Sequence, residues 1–304
     1  MPPELKLGIN TCFAAKRWNE GGAWARIAAQ SLGVRTCQLS LDLLDTSVSD
    51  TVLKDYAKTV REAVREYHID LHSTFTGMAS YSGNGLLHPL ESAREASQRW
   101  FERAINFSAA AGARGTGGFL GSFSSLDAAD PSRKEQLLTE LTQRMRTLSD
   151  HAGRRGLEFL MFENMSGPLE FGHLIDEARV LDEVSAAPTP WVLCLDVGHI
   201  AVLSDDIPDG DSSAWIAEPW AHQPVLQLQQ ACRGVDHHWP FTAERNHDGL
   251  VDGAAVVSEL QNLATEGTVF MFLEIMHSVE TPDEVVIREL NESVQYWVSK
   301  GVTV

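Results

Sequence analysis

The feature that most constrains this chain is an alternation that runs from end to end. Short runs of β-type apolar residues take turns with longer segments of helical periodicity. Strand-like runs fall at 5–12, 34–40, 69–74, 114–119, 157–163, 191–196, 225–230 and 268–274. Amphipathic segments at 23–32, 50–67, 91–111, 134–155, 171–184, 253–265 and 283–299 separate them. In 50–67 the residues Val52, Leu53, Tyr56, Val60, Ala63, Val64 and Tyr67 keep the spacing of one helix face. Ser49 stands where an N-cap belongs, and Thr281-Pro282-Asp283 opens the last helix with a cap and a first-turn proline. After the sixth strand the pattern loosens. A short helix is expected at 199–203, a loop rich in Asp, Gly and Pro at 204–213, and a further short helix at 214–222.

Eight β-then-α units imply parallel strands joined by helical crossovers. A doubly wound open sheet would favour a glycine-rich phosphate loop after strand one, and the run Asn10-Thr11-Cys12-Phe13-Ala14 is not one. The expected architecture is α/β, a single (β/α)8 TIM barrel over 1–304, a length that such barrels reach as one domain.

Charge narrows the function classes. The 42 acidic residues outnumber the 24 Lys plus Arg, a formal net charge of -18 that repels phosphate backbones, so no nucleic-acid partner is expected. A small anionic substrate stays open, because a metal and a few basic groups can reverse the potential inside one pocket. Residues 1–10 lack a charged-then-apolar leader pattern, and no apolar run approaches the length of a membrane span. The expectation is a cytoplasmic protein with no membrane partner. Cys12, Cys37, Cys194 and Cys232 are scattered, and three lie in strand-like runs as core thiols.

In a barrel the chemistry belongs at the C-terminal ends of the strands. Strand five runs into Glu163, strand six into Asp196 and strand eight into Glu274. Three carboxylates where apolar strands should be buried need a shared positive partner, and a divalent cation is the simplest. An oxygen-rich set of this kind suits one Mn2+ or Mg2+, with Co2+ as an alternative, more than structural zinc.

Phe162-Glu163-Asn164, Asp196-Val197-Gly198-His199 and Leu273-Glu274-Ile275 resemble the strand ends of the xylose isomerase-like barrel superfamily. That superfamily holds ketose epimerases, sugar isomerases and AP-endonuclease-type enzymes. The resemblance implies metal ligands Glu163, Asp196, a strand-seven residue and Glu274. The family's strand-seven histidine aligns with Gln227, or with Gln229 if the register slips by two. Asp236-His237-His238 resembles the Asp-x-His segment with which AP-endonuclease-type members bind additional zinc, nominating Asp236 and His238. Strand four, Gly115-Thr116-Gly117-Gly118, offers no histidine for such a cluster, so this loop is read as substrate-binding. Within the superfamily, residues 8–18, 38–45, 226–230 and 236–242 look like the tetrulose-phosphate (erythrulose phosphate) 3-epimerases.

The expected chemistry is proton transfer on a small ketose or ketose phosphate. A cation polarises the carbonyl and stabilises the enediolate. Glu163 and Glu274 on opposite sides would invert a carbon, while a single base moving a proton between neighbouring carbons would isomerise an aldose. Epimerisation is preferred. Asn10, His72, His199, Gln229, Asp236, His238 and Arg245 are the substrate-binding candidates, with Lys16 and Arg17 also available to a phosphate. The alternatives are a metal-dependent hydrolase or lyase on this scaffold, including a deglycosylating subunit, and a sugar-binding barrel without catalysis. Oligomeric state stays open, although related barrels often pair.

Overall fold

Parallel strands that alternate in and out need a neighbour on each side, and a closed ring is the arrangement that leaves no edge. The computed structural model describes residues 2–203, 209–218, 225–263 and 267–304. Its strands are β1 (Glu4–Asn10), β2 (Thr36–Ser40), β3 (Asp70–Phe75), β4 (Gly115–Gly118), β5 (Phe159–Glu163), β6 (Trp191–Asp196), β7 (Val225–Leu228), β8 (Gln230–Cys232), β9 (Val235–Trp239) and β10 (Thr268–Leu273). The first seven and β10 close into a parallel barrel, with β10 pairing both β7 and β1. The architecture is the expected (β/α)8 barrel. The remaining two strands, β8 and β9, form an antiparallel hairpin inserted after β7.

Strand periodicity sorts the core into two layers. Residues such as Leu7, Ile9, Leu39, Leu160, Leu193 and Leu195 face the surrounding helices. The barrel lumen is filled by Phe75, Phe159, Met161, Cys194, Val225 and Phe272, with Val192 and Phe270 packed against them. On the outside, the helix Asp50–Tyr67 starts at the Ser49 side chain and ends on His68 in the left-handed region. It buries Leu53, Ala57, Val60 and Ala63, each apolar side chain of this kind contributing about 1–3 kcal/mol. Val52, expected on that face, is 43% exposed, one position off the buried stripe of Leu53, Ala57 and Val60.

The helices Asp50–Tyr67, Glu91–Ala111 and Asp283–Ser299 have the expected bounds. Others differ. The expected helix over 171–184 is two single turns, Ile175–Ala178 and Val180–Glu183. The helix at 253–265 is Gly253–Gln261, and 264–265 lie outside the described residues. The expected helix at 214–222 is Ser212–Ile216, while 219–222 and the loop positions 204–208 also lie outside them. The run 225–230 is not one strand: it breaks at Gln229, where the chain leaves the barrel for the hairpin. Among the described residues no helix is long and apolar enough to cross a membrane.

The glycines of β4 make room for the lumen. Gly117 has φ 153°, and a Cβ there would collide with the Met161 backbone on β5. Gly117→Ala is therefore expected to cost about 3 kcal/mol from strain and overpacking. A lowered urea midpoint with an unchanged slope would show this, and a midpoint equal to wild type would refute it.

Candidate active site

Each of β5, β6 and β10 spends its first inward positions on apolar lumen residues; β5 and β6 end on an acid, and β10 runs directly into one. Phe159 and Met161 lead to Glu163, Val192 and Cys194 to Asp196, and Phe270 and Phe272 to Glu274. All three acids are at least nine-tenths buried at the same barrel mouth.

Asp196 is also the N-cap of the short helix Val197–Val202, accepting from the Gly198 and His199 amides at 2.7 and 3.3 Å. That turn brings His199 back over the mouth. Its Nδ1–H donates to the Asn164 carbonyl at 2.8 Å, and its Nε2 lies 3.1 Å from Asp236 Oδ2 and 3.6 Å from Asp196 Oδ2. Asn164, next to Glu163, ties β5 to β6: the Asp196 amide donates to Asn164 Oδ1 at 2.6 Å and Asn164 Nδ2 donates to the Asp196 carbonyl at 3.1 Å.

The hairpin supplies the rest. In β9 the side chains alternate, so Asp236 and His238 point into the mouth while His237 and Trp239 stack on its outer face at 3.6 Å. His238 has φ 49°, and its Nδ1–H donates to the Glu274 carbonyl at 3.2 Å. Gln229 locks the hairpin to the barrel. Its Oε1 accepts from the His238 amide at 2.7 Å, and its Nε2 donates to Asp236 Oδ1 at 2.7 Å and Asp196 Oδ2 at 3.0 Å.

Possible ligand atoms gather in three overlapping triads: Glu163, Asp196 and His199; Asp196, His238 and Glu274; and His199, Asp236 and His238, each within 4.8 Å. Two observations fit a divalent cation here. Both imidazoles present Nδ1–H to a backbone carbonyl, the arrangement that frees Nε2 to ligate. Glu274 Oε1 accepts from Asn10 Nδ2 at 3.2 Å, yet its buried Oε2 has no hydrogen-bond partner among the described residues.

A sequence profile of the xylose isomerase-like TIM barrel matches residues 27–297. The chain belongs to that family. It is 26% identical over 299 residues to a D-erythrulose 1-phosphate 3-epimerase of Brucella abortus, covering 96% of this chain and 95% of that protein. A candidate xylose isomerase of Rhodospirillum rubrum superposes with a TM-score of 0.88 at 29% identity, covering 97% and 99% of the two chains. A D-allulose 3-epimerase from Methylomonas sp., in complex with D-allulose, shares the fold at a TM-score of 0.67 and 14% identity, covering 98% of each chain.

Against the family pattern, the geometry redistributes several sequence candidates. Gln227 is not in the cluster. It sits beneath, with Nε2 donating to Gln38 Oε1 at 2.9 Å and Oε1 accepting from the Cys194 thiol at 3.3 Å. The imidazole beside Asp196 and Glu274 is instead His238, from the hairpin. His72 does not reach the mouth. A β-bulge, in which Cys37 pairs Leu71 and Gln38 pairs Ser73, leaves His72 unpaired, and its ring packs among Phe159, Phe270 and Phe272 deep in the lumen. Burial there, with Arg114 and Lys6 nearby, pulls its pKa down to about 3, the behaviour of a neutral packing group. Arg245 lies on the hairpin's outer face, 4.4 Å over the Trp239 ring, away from the mouth. Asn10 is at the site, holding Glu274 and Gln38 rather than facing the open cavity. Gln38 and Asp42 fall in the 38–45 segment that carries the resemblance, although neither is singled out there as a site residue. Asp42 stands two residues past the end of β2 and faces the cavity.

The cavity measures about 310 Å³, small for a ligand site. Burial pushes the Glu163 carboxyl well above its ordinary value; His199 pulls it down, and Glu274 and Asp196 push it up again. Burial likewise lifts Glu274 to about 8 against the pull of His238. For His238 burial acts downward, but Asp236, Glu274 and Asp196 outweigh it and raise the pKa to about 9. Asp236 is held well below the carboxylate range by His199 and His238, although burial opposes this.

Glu274 and His238 therefore bind their protons more tightly folded than at the ordinary values of 4.5 and 6.5. That contribution is complete below the ordinary values and is lost as pH rises through about 8 to 9. Metal-stripped protein is expected to lose thermal stability between about pH 7 and 9. Mn2+ competes with those protons, so it should raise Tm more at the alkaline end than near pH 6. Calorimetry with and without Mn2+ checks this, and a Tm insensitive to both pH and metal would refute it.

Proposed function

We propose that this protein is a divalent-metal-dependent epimerase of a small ketose, inverting the carbon next to the carbonyl. The observation that carries the reading is the pair Glu163 and Glu274. They come from β5 and β10, separated in the ring by β7 and β6, and both are buried and line one small cavity. The names of relatives that act as sugar epimerases support it.

Glu163, Asp196, His238 and Glu274 would hold the cation, with His199 and Asp236 completing the surroundings. A divalent cation bound there supplies polarisation of the substrate carbonyl and stabilises charge on the enediolate. One glutamate removes the proton from the carbon beside the carbonyl, and the other returns a proton to the opposite face. Asp196, fixed by two helix amides and Gln229, faces His199, and Asp236 pairs with both His199 and His238 at 3.1 and 3.2 Å. Phe75, Phe119, Met165 and Met276 wall the cavity and limit water, so the proton returns from a carboxyl group rather than from solvent. The glycine end of β4 and the displacement of His72 into the lumen speak against a multi-zinc nuclease, which would need imidazoles on strands three and four.

Proton exchange at C3 of a ketose in D2O, followed by NMR with Mn2+ present, tests the reading. Glu163→Gln and Glu274→Gln are each expected to reduce exchange by at least about a hundredfold. A variant that exchanges at the wild-type rate would remove that residue from the proton-transfer role. Label moving between C1 and C2 would instead mark an aldose–ketose isomerase.

The cluster geometry also ranks the ligands. His238→Ala is expected to weaken Mn2+ binding about tenfold to a hundredfold, as the loss of an imidazole and its carbonyl support should. Gln227→Ala should change it by no more than about threefold, since Gln227 lies below the cluster. Calorimetric titration checks both, and the reverse order would return the strand-seven ligand to Gln227.

A further inference from the structure

We infer that the cavity takes an uncharged small ketose in preference to its phosphate ester. This rests on the epimerase reading above and specifies its substrate class. The charged side chains facing the cavity are Asp42, Glu163, Asp236 and Glu274, with His199 and His238 between them. Among the described residues no Lys or Arg lines it, and none of the positions outside the described residues is Lys or Arg. A phosphate monoester would place up to two further negative charges beside these carboxylates.

Of the basic residues nearest the mouth in sequence, two are committed elsewhere. Arg17, in the turn after β1, pairs with Asp283 at 2.7 Å and donates to the Ser278 carbonyl at 2.6 Å. Arg245 stacks over Trp239 outside the hairpin. Lys16 is exposed and takes no part in the lining.

Among the described residues the backbone offers no open amide cradle: Gly77, which lines the cavity, heads a short helix whose Met78 amide already donates to Asp42 Oδ1 at 2.8 Å. Barrels of this kind hold phosphate at the loops after their last two strands and at a helix N-terminus there. Here the helix after β10 opens with Pro282, Asp283 and Glu284, so its first turn already carries two acids. The short helix after β9 has Thr242 Oγ1 accepting from the Arg245 amide, with Glu244 in its first turn. The segment from Ile275 to Glu280 contains no glycine to let backbone amides wrap an anion. The rim is made instead of Met78, Tyr81, Phe119 and Met276, groups suited to the CH face and hydroxyls of a neutral sugar.

The test compares C3 proton exchange in D2O for full-length protein loaded with Mn2+. The substrates are erythrulose and fructose against erythrulose 1-phosphate and fructose 1-phosphate. The free ketose of the better pair should exceed its ester in kcat/KM by roughly tenfold or more. A ratio near unity, or one favouring the ester, overturns the inference and leaves the epimerase reading standing. Exchange on neither class, with Mn2+ still raising Tm, overturns both. Met78→Lys adds a cation at a rim position that is 52% exposed. It should lower KM for the ester and narrow the ratio at least about threefold; an unchanged ratio would remove the electrostatic argument.

Discussion

Burying several carboxylates in one place is the constraint on which this structure depends. Glu163, Asp196 and Glu274 lie within the mouth of a parallel barrel, where negative charge is costly without a partner. The surrounding residues read as an answer to that cost. His199 and His238 approach with Nε2 toward the acids, Asn164 and Gln229 fix the acids' neighbours, and Asn10 satisfies one oxygen of Glu274. What is left over is the unpartnered Oε2 of Glu274 and protons held on groups that would ordinarily titrate lower. The same cost suits the site to bind a cation and to move protons.

The hairpin after β7 is the second element of that answer. A regular strand seven would bring its inward residue to the site directly. Instead the barrel strand stops at Leu228, and the chain turns outward through β8 and returns along β9. Period-2 alternation then delivers Asp236 and His238 together, one from each side of His237. Gln229, at the break, joins both segments to Asp196. Beneath it, Gln227, Gln38 and Asn10 form a buried chain of amides that reaches Glu274. Such a chain holds orientation because each amide has both a donor and an acceptor in use.

Much was legible beforehand, and for local reasons. The helices at 50–67, 91–111 and 283–299 follow from spacing and capping within the segment itself. The three acids were legible because a charged residue closing an apolar strand breaks the pattern of its own strand. His72, Gln227 and Arg245 were misplaced for a shared reason: their position depends on events elsewhere in the chain. A bulge of one residue sends His72 into the aromatic lumen. A strand break at Gln229 starts the hairpin that brings His238 beside Asp196 and Glu274. Alternation along β9 puts Trp239, and Arg245 with it, on the outer face.

The sequence by itself determined the barrel and the acidic character of its mouth, because the alternation of strand and helix periods and the acids at strand ends are written in consecutive residues. Tertiary structure alone decided which polar groups meet. Ring closure brings β10 beside β1 and β7, so Glu274 reaches Asn10 and His238 across separations that no local pattern encodes. Contact between distant segments depends on register, bulges and strand breaks, and a shift of a single residue turns a side chain to the other face of the sheet.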